Sequence, residues 1–107
     1  MLDVREESGV VILTFTKERL DASVAGDFKE KFNSQMRDQE QKYVLDLSRV
    51  SFIDSTGLGA IVACLKAVTG NGTLVLAGVH GAAQDLFKLT RLNSVFRMFD
   101  SVDEALA

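Results

Sequence analysis

A small α/β fold, with helices packed on a mixed and mostly parallel sheet, is what this sequence predicts, and three observations predict it. Short β-rich apolar runs alternate along the chain with longer segments whose apolar residues recur at helical spacing, the pattern that builds parallel sheets through right-handed crossovers. The short run at Tyr43 to Leu47 carries adjacent rather than alternating apolar residues, as expected when both faces of a sheet are covered. The chain has 107 residues, 47% of them apolar, with no proline and eight glycines. That is enough for one core and leaves no linker-like stretch, so residues 1–107 are expected to form a single domain.

The elements follow in order. Val10-Val11-Ile12-Leu13-Thr14-Phe15 is the first clear strand, and the turn signal Ser8-Gly9 before it makes Leu2 to Glu6 its hairpin partner. Residues 22–37 read as a helix, because Val24, Phe28, Phe32 and Met36 recur every four residues. Asp21 or Ser23 can cap its start. Tyr43 to Leu47 is the next strand. A second helix is expected over about Ser55 to Val68, with Leu58, Ile61, Val62, Leu65 and Val68 as its core stripe and Gly70-Asn71-Gly72 as its stop. Thr73 to Ala77 reads as a strand, Gln84 to Leu92 as a helix, and Val95 to Phe99 as a last strand. Ser101-Val102-Asp103-Glu104 is a capping-box pattern opening a short terminal helix. The predicted order is β-β-α-β-α-β-α-β-α, with an antiparallel hairpin leading into a parallel sheet.

Bulk properties narrow the function. A formal net charge of −3 argues against nucleic acid as a direct partner, since phosphate binding wants a basic excess. The lone cysteine, Cys64, rules out an internal disulfide and fits a reducing compartment. Met1-Leu2-Asp3-Val4-Arg5 lacks the charge-then-apolar order of a secretory signal, and the apolar runs are too short to span a bilayer. A cytoplasmic protein with no membrane contact is expected.

In folds of this class, sites gather at the carboxyl ends of strands. The loop Ser48 to Asp54 is at such an end, and it runs into Asp54-Ser55-Thr56-Gly57-Leu58-Gly59. Ser55 there reads either as a helix N-cap, with Asp54 favoured by the helix dipole, or as a hydroxyl that another protein modifies. Gly57 and Gly59 would let helix and sheet approach closely. Spacing removes several sharper readings. A phosphate-binding P-loop needs Lys-Ser/Thr after the second glycine, and Ala60-Ile61 follow Gly59. A hydrolase nucleophile elbow needs glycine two residues before the serine, where Ile53 stands. A dinucleotide fingerprint needs three glycines, and only Gly57 and Gly59 fit. His80, the one histidine, lies in a loop pattern and would serve Ser55 only if both loops met at one end of the sheet. No His/Cys cluster has metal-ligand spacing, and Cys64 reads as a small filler within the second helix. On a helical wheel Ala60, Ala63 and Ala67 face away from the core stripe with Cys64 alongside, and Lys66 is the only charge between Asp54 and Gly70. That face is either covered by another helix or open for a partner beside Ser55.

The stretch Val44-Leu45-Asp46-Leu47-Ser48-Arg49-Val50-Ser51-Phe52-Ile53-Asp54-Ser55-Thr56-Gly57-Leu58-Gly59 resembles the signature of STAS domains, and within them that of bacterial anti-sigma factor antagonists. The similarity extends to Arg19-Leu20-Asp21-Ala22 and to the ending Phe99-Asp100-Ser101-Val102-Asp103-Glu104-Ala105-Leu106. The resemblance implies the STAS fold and a non-enzymatic interaction switch without cofactor or metal. It implies that Ser55 is the phosphorylated serine, and that Asp21, Asp54, Ser55, Thr56, Gly57 and Leu58 belong to the partner-binding region. The partner it implies is an anti-sigma factor that is also a GHKL-type serine kinase, with a metal-dependent serine phosphatase as the resetting enzyme. Two positions depart from the pattern. Thr16-Lys17-Glu18-Arg19 stands where the family often has glycine before the Leu-Asp pair, and Thr56 stands where many members have serine, which makes it a second candidate acceptor. Two other readings stay open at this stage: a STAS subunit of a lipid-transport complex or stressosome-like scaffold, and a nucleotide- or small-molecule-binding module that uses the Asp54–Gly59 turn without an anchoring lysine.

Overall fold

The computed structural model describes residues 1–107. Strands β1 (Leu2–Glu7) and β2 (Val10–Phe15) form the expected antiparallel hairpin. Its connection is two residues, Ser8 at φ 54° and Gly9 at φ 78°. Two successive positive φ angles match the right-handed twist of the strands they join. Strands β4 (Gln41–Asp46), β6 (Gly72–Ala77) and β7 (Arg97–Phe99) then add in parallel, giving the sheet order β1-β2-β4-β6-β7. Helices α1 (Ala22–Ser34), α2 (Ser55–Val68), α3 (Gly81–Leu89) and α4 (Val102–Leu106) complete the predicted alternation.

Both faces of the sheet are covered, which explains the consecutive apolar residues. Val11, Leu13, Phe15, Tyr43 and Leu45 join the large core together with residues of α1, α2 and α3. Ile12, Val44, Val75 and Ala77 form a smaller core with Ala105 of α4. An aromatic chain ties α1 to the sheet: Phe28 meets Phe15 edge-to-face at 5.6 Å, and Phe32 lies 6.3 Å from Phe28 and 6.2 Å from Tyr43.

Four features differ from the sequence expectation. Two short strands, β3 (Arg19–Leu20) and β5 (Phe52–Ile53), pair in parallel as a separate ribbon. Two-residue strands carry no periodic signal, so only tertiary pairing reveals them. The third helix begins three residues earlier than expected, at Gly81, because its first buried contact is Ala83, whose small side chain marks no stripe. It stops at Leu89, which is 82% exposed, and Arg91 at φ 61° turns the chain into a 3₁₀ turn over Leu92–Ser94. Hence the last strand shrinks to Arg97–Phe99, with Val95 left in solvent. Finally, the small-residue face of α2 is not uniformly open. Ala60 and Cys64 are buried where α1 packs along α2, Ala63 is half-buried, and only Ala67 and Lys66 are exposed. Small side chains there let two helices approach closely.

Candidate functional site

The ribbon of β3 and β5 places two helix starts side by side. Each strand ends in an apolar residue followed by aspartate, Leu20-Asp21 and Ile53-Asp54, and each aspartate caps the helix that follows. Register pairs Arg19 with Phe52 and Leu20 with Ile53. The Asp54 N–H donates to the Leu20 carbonyl at 3.4 Å, and the Ser51 and Phe52 N–H groups both donate to the Glu18 carbonyl. The Arg19 guanidinium lies 4.1 Å from the centre of the Phe52 ring. The Thr16–Arg19 loop, which departs from the family pattern, therefore still delivers Asp21 next to Asp54.

Asp54 is the hub. One carboxylate oxygen accepts from the Gly57 N–H at 2.7 Å, which caps α2. The other accepts from the Ala22 N–H at 3.1 Å, in the first turn of α1. Ser55 is thus the first residue of α2 and not its cap. The N-cap role expected for the serine belongs to its neighbour, because a carboxylate one position earlier reaches two orphan N–H groups that a hydroxyl could not. Ser55 and Thr56 are exposed, and their hydroxyls make no hydrogen bond within the protein.

Asp21 caps α1, accepting from the Ser23 N–H at 3.1 Å and from its hydroxyl at 2.6 Å, with Arg19 Nε 3.4 Å away. The Ser23 hydroxyl, ahead of Arg19, holds the Asp21 carboxyl below the usual value of 3.8. Two carboxylates and the exposed hydroxyls of Ser55 and Thr56 thus share a corner where two helix N-termini converge.

Gly57 and Leu58 have a different position. Both are buried, Leu58 at 7% exposure. A Cβ on Gly57 would stand 2.0 Å from the Leu20 carbonyl oxygen, so glycine is required for α2 to seat against β3. These two hold Ser55 and Thr56 in place and present little surface of their own. His80 is also accounted for. Its Nε2 lies 2.9 Å from the Ser48 carbonyl, to which it donates, and Gly78 at φ 75° packs on Ser48. The histidine fastens two loops and makes no bond to Ser55. Cys64 is 1% exposed, and burial pushes its thiol up from 9.0 to about 12. No group of three or more His, Cys, Asp and Glu side chains could hold a metal ion, and no helix is long and apolar enough to cross a membrane.

The pairing that sequence reasoning missed, β3 with β5, left one signal: the same apolar-Asp dipeptide precedes both helices. Its meaning depends on the two dipeptides being adjacent in space.

A family model for the STAS domain matches residues 1–105. A relative from Thermotoga neapolitana, assigned as an anti-sigma factor antagonist, is 34% identical over 91% of this chain and 87% of its own. The anti-sigma-B factor antagonist of Staphylococcus aureus is 29% identical over 78% of this chain and 79% of its own. Among solved structures, a Thermotoga maritima protein with the same assignment superposes with a TM-score of 0.85 at 30% identity, covering 98% of this chain and 91% of the other. The chain belongs to the STAS domain family. Its mixed α/β fold, with a hairpin leading into a parallel sheet, is the fold of those neighbours.

Proposed function

We propose that this protein is an anti-sigma factor antagonist: a single STAS domain, acting in the cytoplasm, that binds an anti-sigma factor through the corner of Asp21, Asp54, Ser55 and Thr56 and is switched by phosphorylation of Ser55. The similarity to relatives of that assignment supports the general role. The observation that carries the switch is the division of labour between Asp54 and Ser55. Asp54 does the capping, so the exposed Ser55 hydroxyl can be modified without removing a bond that holds the fold.

In this reading the chemistry belongs to the partners. A GHKL-type anti-sigma factor kinase supplies the phosphoryl group, and a metal-dependent serine phosphatase removes it. This chain contributes the acceptor oxygen. Phosphorylation adds about 1.5 to 2 negative charges at a helix N-terminus, where backbone N–H groups and the dipole tolerate them. The domain therefore stays folded. The effect falls on the complex, which would have to bury a dianion beside Asp54 and Asp21. A loss of about 3 kcal/mol of binding is roughly a hundredfold in affinity.

The test is capture from the native cell extract with Ser55→Ala and Ser55→Asp baits of equal thermal stability. A GHKL-type protein retained by Ser55→Ala and lost from Ser55→Asp is the expected result. Equal retention by both baits, or phosphate incorporated into Ser55→Ala by the captured kinase, overturns the assignment of Ser55.

A further inference from the structure

Arg19 is the cation that the β3–β5 ribbon holds at the Asp21–Asp54 corner, and the switch described above gives it no role. Parallel register sets it opposite Phe52, so both side chains leave the ribbon on one side. The guanidinium lies 4.1 Å from the centre of the Phe52 ring, one of the few large apolar side chains left exposed. Stacking on a ring holds the planar head group in place without using its outer hydrogens. Of its nitrogens only Nε is bonded, donating to Asp21 across a long 3.4 Å. Both Nη nitrogens are free of protein partners, and the side chain is 62% exposed.

Ser55 follows Phe52 by three residues. Their Cα atoms are therefore at most about 10 Å apart. An arginine that already lies on the Phe52 ring and a phosphoserine, extended toward each other, close that span. Leaving Asp21 costs the corner little. Asp21 keeps the Ser23 N–H at 3.1 Å and the Ser23 hydroxyl at 2.6 Å, so its capping bond survives. An exposed ion pair of this length is weak. A phosphate offers roughly 1.5 to 2 charges and oxygens spaced for the two-pronged guanidinium fork. Lys17, two residues earlier in the same loop, is exposed and no contact holds it toward the corner.

We propose that Arg19 is the internal receptor for the Ser55 phosphate: on modification its two Nη groups leave the Phe52 ring and the edge of Asp21 and bond two phosphate oxygens. This rests on Ser55 as the modified residue, and it adds what the modification does to the surface. The unmodified corner shows a partner a cation stacked on an aromatic ring beside two carboxylates. The phosphorylated corner shows a bare ring, with its one bonded cation withdrawn onto the phosphate. The β3–β5 ladder and both helix caps stay as they are, since none of their bonds uses the Arg19 side chain.

The test uses the full chain with phosphoserine placed at position 55 during translation, so no kinase is needed. NMR compares the phosphorylated and unmodified proteins. The guanidinium nitrogens of Arg19 and the ring protons of Phe52 should both shift on phosphorylation, and the phosphorus signal should differ from that of phosphorylated Arg19→Gln. Thermal melts then compare the effect of the phosphate in three backgrounds. Its contribution to Tm should be about 3 °C less favourable in Arg19→Gln than in the wild type, and Lys17→Gln should respond as the wild type does. Unmoved Arg19 and Phe52 signals, an equal phosphate effect in wild type and Arg19→Gln, or a loss in Lys17→Gln as large as in Arg19→Gln overturns the assignment of Arg19 while leaving Ser55 as the modified residue. A phosphorylated chain that gives no folded spectrum overturns the reading of Ser55 as well. The NMR comparison is made on the unsubstituted chain and does not depend on the variants folding.

Discussion

Gly57 and Gly59 stand two residues apart in the first turns of α2, and the same added carbon should act on them with opposite sign. A Cβ on Gly57 would lie 2.0 Å from the Leu20 carbonyl oxygen and 2.8 Å from its carbon. Ordinary contact begins at 3.4 Å, so the two backbones must separate by 3.4 − 2.0 = 1.4 Å. A flexible side chain could swing aside, but the obstacle here is the backbone of β3. The same Leu20 carbonyl accepts from the Asp54 N–H, so the displacement also loosens the residue that caps α2 and holds the Ala22 N–H of α1. Overpacking against an unyielding neighbour costs about 3 kcal/mol, and the better helix propensity of alanine offsets about 1 kcal/mol. The net loss of about 2 kcal/mol corresponds to a Tm lower by about 10 °C for a chain of this size. At Gly59 nothing lies within 4 Å of the added atom. Only the propensity gain remains, and Gly59→Ala should stabilise by about 0.5 to 1 kcal/mol. Urea unfolding followed by circular dichroism measures both, with an unchanged slope showing that the folded and unfolded states are comparable. A Gly57→Ala protein as stable as the wild type would refute the seating of α2 on β3. Equal destabilisation at both positions would show that the glycines meet a shared backbone requirement and not a packing one.

Asp54→Ala should lower stability by about 1 to 2 kcal/mol in a thermal melt, because it removes the acceptor for the Gly57 and Ala22 N–H groups together. Asp54→Asn keeps one acceptor oxygen and should lose less; an equal loss would argue that charge and not capping is what matters. Cys64 should resist thiol reagents in the folded state, since it is buried and its thiol is raised to about 12. The folded protein holds that proton more tightly than the unfolded chain. Its stabilising effect is therefore complete below the ordinary value of 9.0 and is lost as pH rises from there toward about 12. The expected slope is about 1.4 kcal/mol per pH unit in that window. Comparing urea unfolding of the wild type and Cys64→Ala across that range isolates it, and parallel pH profiles would exclude the effect.

Much of the architecture was legible before any coordinates. Consecutive apolar residues in β4 signalled a sheet covered on both faces, and the Phe28–Phe32 stripe located α1 against it. Ser8-Gly9 announced the hairpin because two positive φ angles need permissive residues, glycine above all. What failed had a common cause. Ala83 is small, Leu89 is apolar but exposed, and β3 and β5 are two residues long. In each case the local chemistry either carries no period or misstates burial, and packing against distant residues decides the outcome.

At the candidate site the same boundary is visible inside one hexapeptide. The chain by itself determined that a helix starts after Ile53, that an aspartate and a serine stand at its threshold, and that the hexapeptide does not match the P-loop, nucleophile-elbow or dinucleotide spacings, because those judgements depend only on residue type and spacing. The tertiary structure decided what else Asp54 holds: beside the local Gly57 N–H that it takes in capping α2, its carboxylate accepts from the Ala22 N–H, which lies 32 positions away in sequence and 3.1 Å away in space. The pairing of β3 with β5 brings these groups together, and no local pattern encodes a distance between two segments that meet only when the chain is folded.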